Sequence, residues 1–229
     1  MIILVLPFIS SMSVPVYYKL QGNNFWLSPK RCLYWEEQKA VILSDLHFGK
    51  TGHFRKSGIG IPQNVFKEDI QCLIDQISSF NPQQLIIVGD LFHSEANKEI
   101  QLFEKWRKDL ASIHFHLIKG NHDILKDQWY QNANIQIHQS EMTIGKFRFV
   151  HDINSATNDS ALYSFTGHIH PGIRLNGIAK QSLRFPCFYF GKEYAVLPAF
   201  SRFTGLHLIE PKKKETVFAI ADDAIIQMQ

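Results

Sequence analysis

The sequence contains little cysteine, and its cysteines form no recognisable pattern. Its 229 residues include three of them, at positions 32, 72 and 187. Because the number is odd and no two are closely spaced, neither a disulfide framework nor a thiolate zinc site is indicated. Unpaired thiols are typical of a reducing compartment, so we expect a cytoplasmic location.

The sequence also lacks a membrane-spanning segment and a strong net charge. Residues 1–11 are largely apolar, but a span needs about 20 residues, and no Lys or Arg precedes them as in a secretory signal. We therefore expect no membrane association and interpret residues 1–11 as an additional N-terminal segment, with Met12 as a possible true start. The net charge of +3 neither requires nor excludes a nucleic-acid partner.

The size and the patterning of the chain fit one α/β domain. With 45% hydrophobic residues the chain can bury a substantial core, and no repeat or linker divides residues 1–229. Helical periodicity over residues 64–80 and 97–110, between short strands, predicts helices on a sheet. The second half is almost entirely strand-like, which predicts a second sheet packed on the first.

Five short hydrophobic runs end in side chains that commonly bind metal ions. The first run, Val41 to Leu43, leads to Asp45 and His47, and side chains two apart in a strand reach the same side. Chance rarely arranges five such strand ends in one chain. The complete set is Asp45, His47, Asp90, Asn121, His151, His168 and His170.

This set of ligands has the chemistry of a two-metal hydrolase. It offers carboxylate, amide and imidazole groups without sulfur, which suits manganese, iron, nickel or zinc. Seven ligands exceed the need of one open catalytic ion, so we predict two divalent ions bridged by a carboxylate. Two ions about 3.5 to 4 Å apart stabilise phosphoryl displacement and can generate a metal-bound hydroxide near neutral pH.

A basic, glycine-rich loop over residues 49–62 follows the first two ligands. We expect it to lie on the rim of the metal site. Its Lys50, Arg55 and Lys56 are predicted to bind the backbone of a substrate that has more than one phosphate. The alternative is a solvent-exposed loop without a binding role.

The sequence gives weaker evidence for a functional role of several other polar residues. His93 and Asp152 lie close in sequence to predicted ligands, and either a supporting role or none fits them. Isolated histidines are expected at the surface or in hydrogen bonds: His114, His116, His138 and His207. Basic residues alternate with aromatics around Arg174 and Arg184. This pattern can bind single-stranded nucleic acid, but an amphipathic strand with core aromatics is the simpler interpretation.

The motifs resemble, in order, those of the calcineurin-like metallophosphoesterases. They are Asp45-Leu-His47, Gly89-Asp90, Gly120-Asn121-His122-Asp123, a single His151 and Gly167-His168-Ile-His170. The resemblance implies a two-sheet sandwich flanked by helices. It also implies a first ion held by Asp45, His47, Asp90 and His170, and a second held by Asp90, Asn121, His151 and His168. His122 would be the catalytic histidine that supports the transition state or protonates the leaving oxygen.

A narrower resemblance, to the ligase-associated DNA damage response endonucleases, covers more of the chain. It rests on the segments 27–35, 47–62 and 196–205. It implies a manganese-dependent nuclease or phosphodiesterase that acts with a DNA ligase, a helicase and an exonuclease. Ser44 and Ser201 depart from the pattern, where Ala and Gly are expected, and neither is expected to touch the metal ligands.

The leading interpretation is a two-metal hydrolase of phosphodiesters that acts on DNA in repair. A phosphomonoesterase for small molecules or phosphoproteins would use the same ions and is the alternative. A non-catalytic scaffold is expected to lose ligands or the Asn-His pair, and none is missing here.

Overall fold

The computed structural model describes residues 14–50, 64–93, 98–157, 159, 161–176 and 182–228. The predicted N-terminal segment and the predicted substrate-binding residues Arg55 and Lys56 lie outside these ranges. The described helices are α1 (Asn64–Phe80), α2 (Lys98–Asp109) and α3 (Asp127–Asn132). No helix among the described residues is long and apolar enough to cross a membrane.

The first sheet of the described chain has seven strands in sequential order. They are β1 (Val16–Leu20), β2 (Asn23–Ser28), β3 (Cys32–Trp35), β4 (Ala40–Leu43), β5 (Gln84–Val88), β6 (His114–Ile118) and β7 (Ile135–His138). Strands β1 to β4 pair antiparallel, whereas β4 to β7 pair parallel. Parallel neighbours require a crossover connection, and α1 and α2 lie in the connections that follow β4 and β5.

The second sheet comes from the rest of the chain. Its strands are β8 (Glu141–Ile144), β9 (Phe147–Val150), β10 (Tyr163–Thr166), β11 (Pro171–Asn176), β12 (Ser182–Phe190), β13 (Tyr194–Val196), β14 (His207–Leu208), β15 (Thr216–Ala221) and β16 (Ala224–Gln227). Their order is β14-β11-β12-β13-β10-β9-β8, with β15 paired to both β12 and β16. Only a short 3₁₀ turn interrupts the described strands of this half, as its strand-like pattern predicted.

Two hydrophobic layers hold the sheets and helices together. Along β5, Ile86 and Val88 face the second sheet, whereas Leu85 and Ile87 face the helices. A strand buried on both faces reads as a continuous apolar run, which explains the lack of alternation in this segment. The arrangement is a two-sheet sandwich flanked by helices, and it confirms the predicted fold class.

Two details differ from the sequence-based expectation or were beyond it, and one agrees with it. Strand β4 ends at Leu43, so Asp45 and His47 lie outside any strand. Helix α3 was not predicted, because its six residues bury only Tyr130 and produce no periodic pattern. The boundaries of the two longer helices agree with the predicted periodicity within one residue.

The topology brings five strand ends to one edge of the sandwich. Strands β4, β5 and β6 are parallel neighbours in the first sheet, and β9 and β10 are parallel neighbours in the second. The two sheets are joined there by a bridge between Ser44 and Ala199. All seven predicted metal ligands follow these five strands.

Candidate active site

The first two predicted ligands are positioned by a left-handed backbone after β4. Asp45 and His47 have φ angles of 54° and 49°, a region that residues other than glycine seldom adopt. Backbone hydrogen bonds hold this conformation, from Asp45 N to Gly89 O at 3.1 Å and from His47 N to Asp90 O at 2.9 Å. The two side chains therefore reach one site through a turn, and not through the strand alternation that the sequence suggested.

One group of ligand atoms gathers around Asp45. The Nε2 atoms of His47 and His170 are 3.2 Å apart. Asp45 Oδ1 lies 3.8 Å from the first of them and 3.3 Å from the second. Ligand atoms of these three residues all lie within 4.8 Å of one another, a spacing at which one ion can be bound.

A second group gathers around His151. Its Nε2 atom lies 3.5 Å from Asp90 Oδ2, 3.3 Å from Asn121 Oδ1 and 3.3 Å from His168 Nδ1. Asp90 Oδ2 is also 3.9 Å from His47 Nε2, so this carboxylate lies between the two groups. The structure thus brings together all seven residues that the sequence singled out.

The donor atoms fit divalent ions. Asp45 is fully buried, yet its Oδ1 accepts no hydrogen bond from the described residues. A buried carboxylate oxygen without a donor is costly unless a cation lies close to it. The donors are oxygen and imidazole nitrogen throughout, which matches the preferences of manganese, iron and zinc.

Burial and close pairs set the pKa values of the predicted ligand side chains. Burial raises the pKa of Asp90, but contact with His151 and its charge outweigh this and lower the pKa to about 2. Burial lowers the pKa of His151, but the contact with Asp90 and the charge of Asp45 raise it to about 9. Burial lowers the pKa of His47 to about 3, which keeps its lone pair available.

Comparisons with known proteins agree with this geometry. Residues 39–218 match the family described as Calcineurin-like phosphoesterase, which is most of the chain. The chain belongs to the calcineurin-like phosphoesterase family. None of the curated protein sequences matches it significantly.

Two solved structures resemble this phosphoesterase. The crystal structure of Pseudomonas putida nuclease MPE aligns with a TM-score of 0.77 and 25% identity, over 90% of this chain and 96% of that one. Yfce, a phosphoesterase from E. coli, aligns with a TM-score of 0.42 and 14% identity, over 82% of this chain and 97% of that one. Family membership and the first likeness identify the protein as a metal-dependent phosphoesterase hydrolase.

His122, the predicted catalytic histidine of the phosphoesterase, borders both groups of ligands. Its backbone N–H donates to Asp90 Oδ1 at 3.0 Å. Its ring centroid lies 5.5 Å from that of His47 and 4.4 Å from that of His93. His93 thus lies in ring contact with His122. Asp152 lies outside this cluster and accepts a hydrogen bond from Asn154 N in the 3₁₀ turn.

Two glycines of the motifs are required because ligand side chains lie very close to their backbone. Gly89 has a φ of 81°, and a Cβ atom there would lie 2.0 Å from His151 Nδ1. A Cβ atom on Gly120 would lie 2.1 Å from Asp90 Oδ1. The absence of a side chain at these positions lets the ligands pack directly against the backbone of neighbouring strand ends.

The predicted substrate-binding residues are only partly described. Lys50 is half-buried and lines a small space together with His47. Burial lowers its pKa, and the charges of Asp45 and Asp90 act against this shift. Arg55 and Lys56 lie outside the described residues. The binding role of the loop therefore stays a prediction.

Two serines without a predicted role support the site. Ser44 Oγ forms a hydrogen bond with Asp45 Oδ2 and lies 2.9 Å from Val88 O, so the expectation that Ser44 does not touch the metal ligands is wrong. Ser201 Oγ donates to the buried Asp69 at 2.8 Å. The available signal was that Asp69 lies on the largely apolar face of α1.

A third overlooked residue, Asp123, joins two of the strand ends. Its Oδ2 accepts from Gly120 N at 2.9 Å and its Oδ1 from Phe92 N at 3.2 Å. Burial raises its pKa to about 7. The carboxyl group thus fixes the loop that carries Asn121 and His122 against the loop that carries Asp90.

Proposed function

We propose that this phosphoesterase is a two-metal phosphodiesterase that cleaves DNA. The observation that carries the proposal is the position of Asp90. Its Oδ2 atom lies 3.9 Å from His47 Nε2 and 3.5 Å from His151 Nε2, where one carboxylate can serve both groups of ligands. We assign Asp45, His47, Asp90 and His170 to one ion, and Asp90, Asn121, His151 and His168 to the other.

The side chains would hold the ions, and the bound ions would act as Lewis acids. When bound, two divalent ions would lower the pKa of a water and leave a net positive charge beside Asp45 and Asp90 to receive an anionic ester. Burial and the positions of the strand ends fix the carboxylates and imidazoles that would hold the two ions. His122 borders it and is the residue that we assign to protonate the leaving oxygen.

Three considerations support DNA as the substrate. The Pseudomonas putida nuclease MPE shares the fold over 90% of this chain. The half-buried Lys50 lies near the ligands, where it can attract a flanking phosphate. The sequence also resembles the ligase-associated endonuclease branch over segments beyond the metal motifs.

The finer assignments follow from the same resemblance. We propose manganese as the ion, a role in DNA repair in the cytoplasm, and functional association with a ligase, a helicase and an exonuclease. We also propose that one phosphoesterase domain accounts for residues 1–229. Sensitivity of a deletion strain to DNA damage tests the repair role.

The direct test uses metal-stripped protein with manganese added back. It measures hydrolysis of a small phosphodiester, a phosphomonoester, and labelled single-stranded and duplex DNA, with Asp90→Ala as the control. We expect manganese-dependent cleavage of the diester and of DNA, and loss of both in the variant. Activity on the monoester alone would instead identify a phosphatase, and no activity with any divalent ion would identify a scaffold.

A further inference from the structure

A large polar cavity opens between the two sheets, and the proposed metal ligands do not line it. Its volume is about 620 Å³, and its lining includes Arg31, Arg184 and Arg202. We propose that this cavity binds backbone phosphates of the nucleic-acid strand on one side of the bond that is cleaved. The inference rests on the proposed function and extends it by naming the surface that selects a polynucleotide over a small diester.

The cavity lies at the same edge of the sandwich as the metal ligands. Leu33 pairs with Ile42, so the turn that contains Arg31 lies at the end of β4 where Asp45 follows. Neighbouring strands are about 4.8 Å apart, which places this turn within a few strand widths of the metal ligands. A nucleic-acid strand bound at the metal ligands would therefore pass close to the cavity.

A short segment, residues 199–203, forms the wall between the cavity and the metal ligands. Ser201 N donates to Asp45 O at 3.3 Å. Arg202 faces the cavity, whereas Ser201 and Phe203 line a small space together with His47. The segment thus presents one arginine to the cavity directly behind the backbone of a proposed metal ligand.

This wall is held in place by buried polar contacts. Arg31 Nη1 donates to Ala199 O at 3.3 Å and to Ser201 O at 2.9 Å. Asp69, which is buried on α1, accepts from Ser201 Oγ at 2.8 Å and from Arg202 N at 3.5 Å. A preformed wall loses little conformational freedom on binding, as expected of a binding surface.

The cavity carries an excess of positive charge. Lys30 forms an ion pair with Asp223, so these two lining residues offset each other. The remaining charged lining groups are three arginines and Asp222, and Asp69 behind the wall offsets part of the charge of Arg31 and Arg202. The positive charge that is left favours an anion such as a backbone phosphate.

A pair of like charges extends the positive surface away from the cavity. Arg184 of β12 lies directly opposite Arg174 of β11, and both are exposed. Like charges at facing positions are unfavourable without a counter-charge, and within the described ranges neither arginine forms an ion pair. Strand β11 begins directly after His170, so Arg174 lies about 13 Å along the chain from that ligand. The positive surface formed by Arg174 and Arg184 thus leads outward from the metal ligands.

The test compares two double variants that each remove two positive charges. Arg184→Gln/Arg202→Gln changes exposed side chains of the cavity and leaves Arg31 to support the wall. Lys192→Gln/Lys213→Gln is the matched control, because both lysines are exposed and lie in turns at the end of β12 remote from Arg184. Both are assayed on a labelled single-stranded oligonucleotide and on bis(p-nitrophenyl) phosphate with manganese.

We expect the arginine variant to raise KM for the oligonucleotide about tenfold or more with little change in kcat, because ground-state binding is lost. Its kinetics on the small diester should equal those of the wild type. The slope of log affinity against log salt for the oligonucleotide should fall by about 1.4, at about 0.7 per phosphate contact. The lysine variant should match the wild type on both substrates.

Three results would overturn the inference. An equal loss on both substrates would show that the arginines support the metal site, and an unchanged oligonucleotide KM would show that the cavity is not used. Loss of binding of inorganic phosphate or a mononucleotide with an unchanged oligonucleotide KM would make the cavity a small-anion site. Failure of the proposed function is distinguishable, because the wild type would then cleave no nucleic acid at all.

Discussion

The Nε2 atoms of His47 and His170 lie 3.2 Å apart, although 123 residues separate them in the chain. Burial lowers the pKa of His47 to about 3, so this imidazole is neutral and cannot pair with its neighbour as a cation. Two imidazole nitrogens at this distance need a shared proton or a shared ion. The neighbouring Asp45 Oδ1, which accepts no hydrogen bond from the described residues, favours an ion.

Replacing His170 by Ala should therefore weaken binding of one ion by at least about tenfold, because a direct ligand is lost. Metal content after dialysis, measured by inductively coupled plasma mass spectrometry, should fall towards one ion per chain. The control is His114→Ala, an exposed histidine at the other end of β6. Full metal content in the His170 variant would contradict its role as a ligand.

His122→Ala should separate chemistry from metal binding. The side chain borders the ligands, and it is the backbone N–H of His122 that contacts Asp90, so metal content should be retained. Turnover of a phosphodiester should fall by about 10² to 10⁴, the usual contribution of a positioned general acid. Unchanged kcat with full metal content would refute the proton-donor assignment.

Gly120→Ala should disrupt the site through a collision. The new Cβ atom would lie 2.1 Å from Asp90 Oδ1 and 2.6 Å from Asp90 N, so this carboxylate has to move. We expect loss of bound metal and of activity, with the fold retained by circular dichroism. Gly205→Ala is the matched control, because a Cβ atom there meets nothing within 4 Å. Equal activity of both variants would be inconsistent with the described packing.

Metal binding should release a proton near neutral pH. In the metal-free protein, contact with Asp90 and the charge of Asp45 overcome burial and raise the pKa of His151 to about 9, so it is protonated at pH 7. A ligand nitrogen must lose that proton, and apparent affinity should rise as pH approaches 9. Calorimetric titration in buffers of different ionisation enthalpy counts the protons. A buffer-independent heat would contradict the combination of a raised His151 pKa and a metal-ligand role for His151.

The metal-free protein should lose stability on the alkaline side. The pKa of His151 is raised from 6.5 to about 9, so its contribution is complete below pH 6.5 and is lost as pH rises through 9. The pKa of Asp123, raised by burial to about 7, acts in the same direction. Urea unfolding with a chelator should give a lower free energy of unfolding at pH 9.5 than at pH 6. A higher value at pH 9.5 would contradict these shifts.

Much of the fold was accessible from the sequence because its signals are local. The helical period over residues 64–80 and the apolar run of β5 each report the burial of their own segment. The metal-binding residues follow such runs directly, and their order matches the family motifs. The sequence alone thus determined the fold class, the family and the identities of the seven predicted ligands, whose roles remain proposals.

Contacts between distant segments were decided only by the tertiary structure. Asp45 and His47 converge through left-handed backbone that is held by hydrogen bonds to the end of β5, a contact that no local pattern encodes. The pairing of Arg174 with Arg184 depends on strand register, and the wall beside the cavity depends on Asp69 reaching Ser201. Residue type and local period specify which side chains can do chemistry, whereas long-range packing specifies which of them meet.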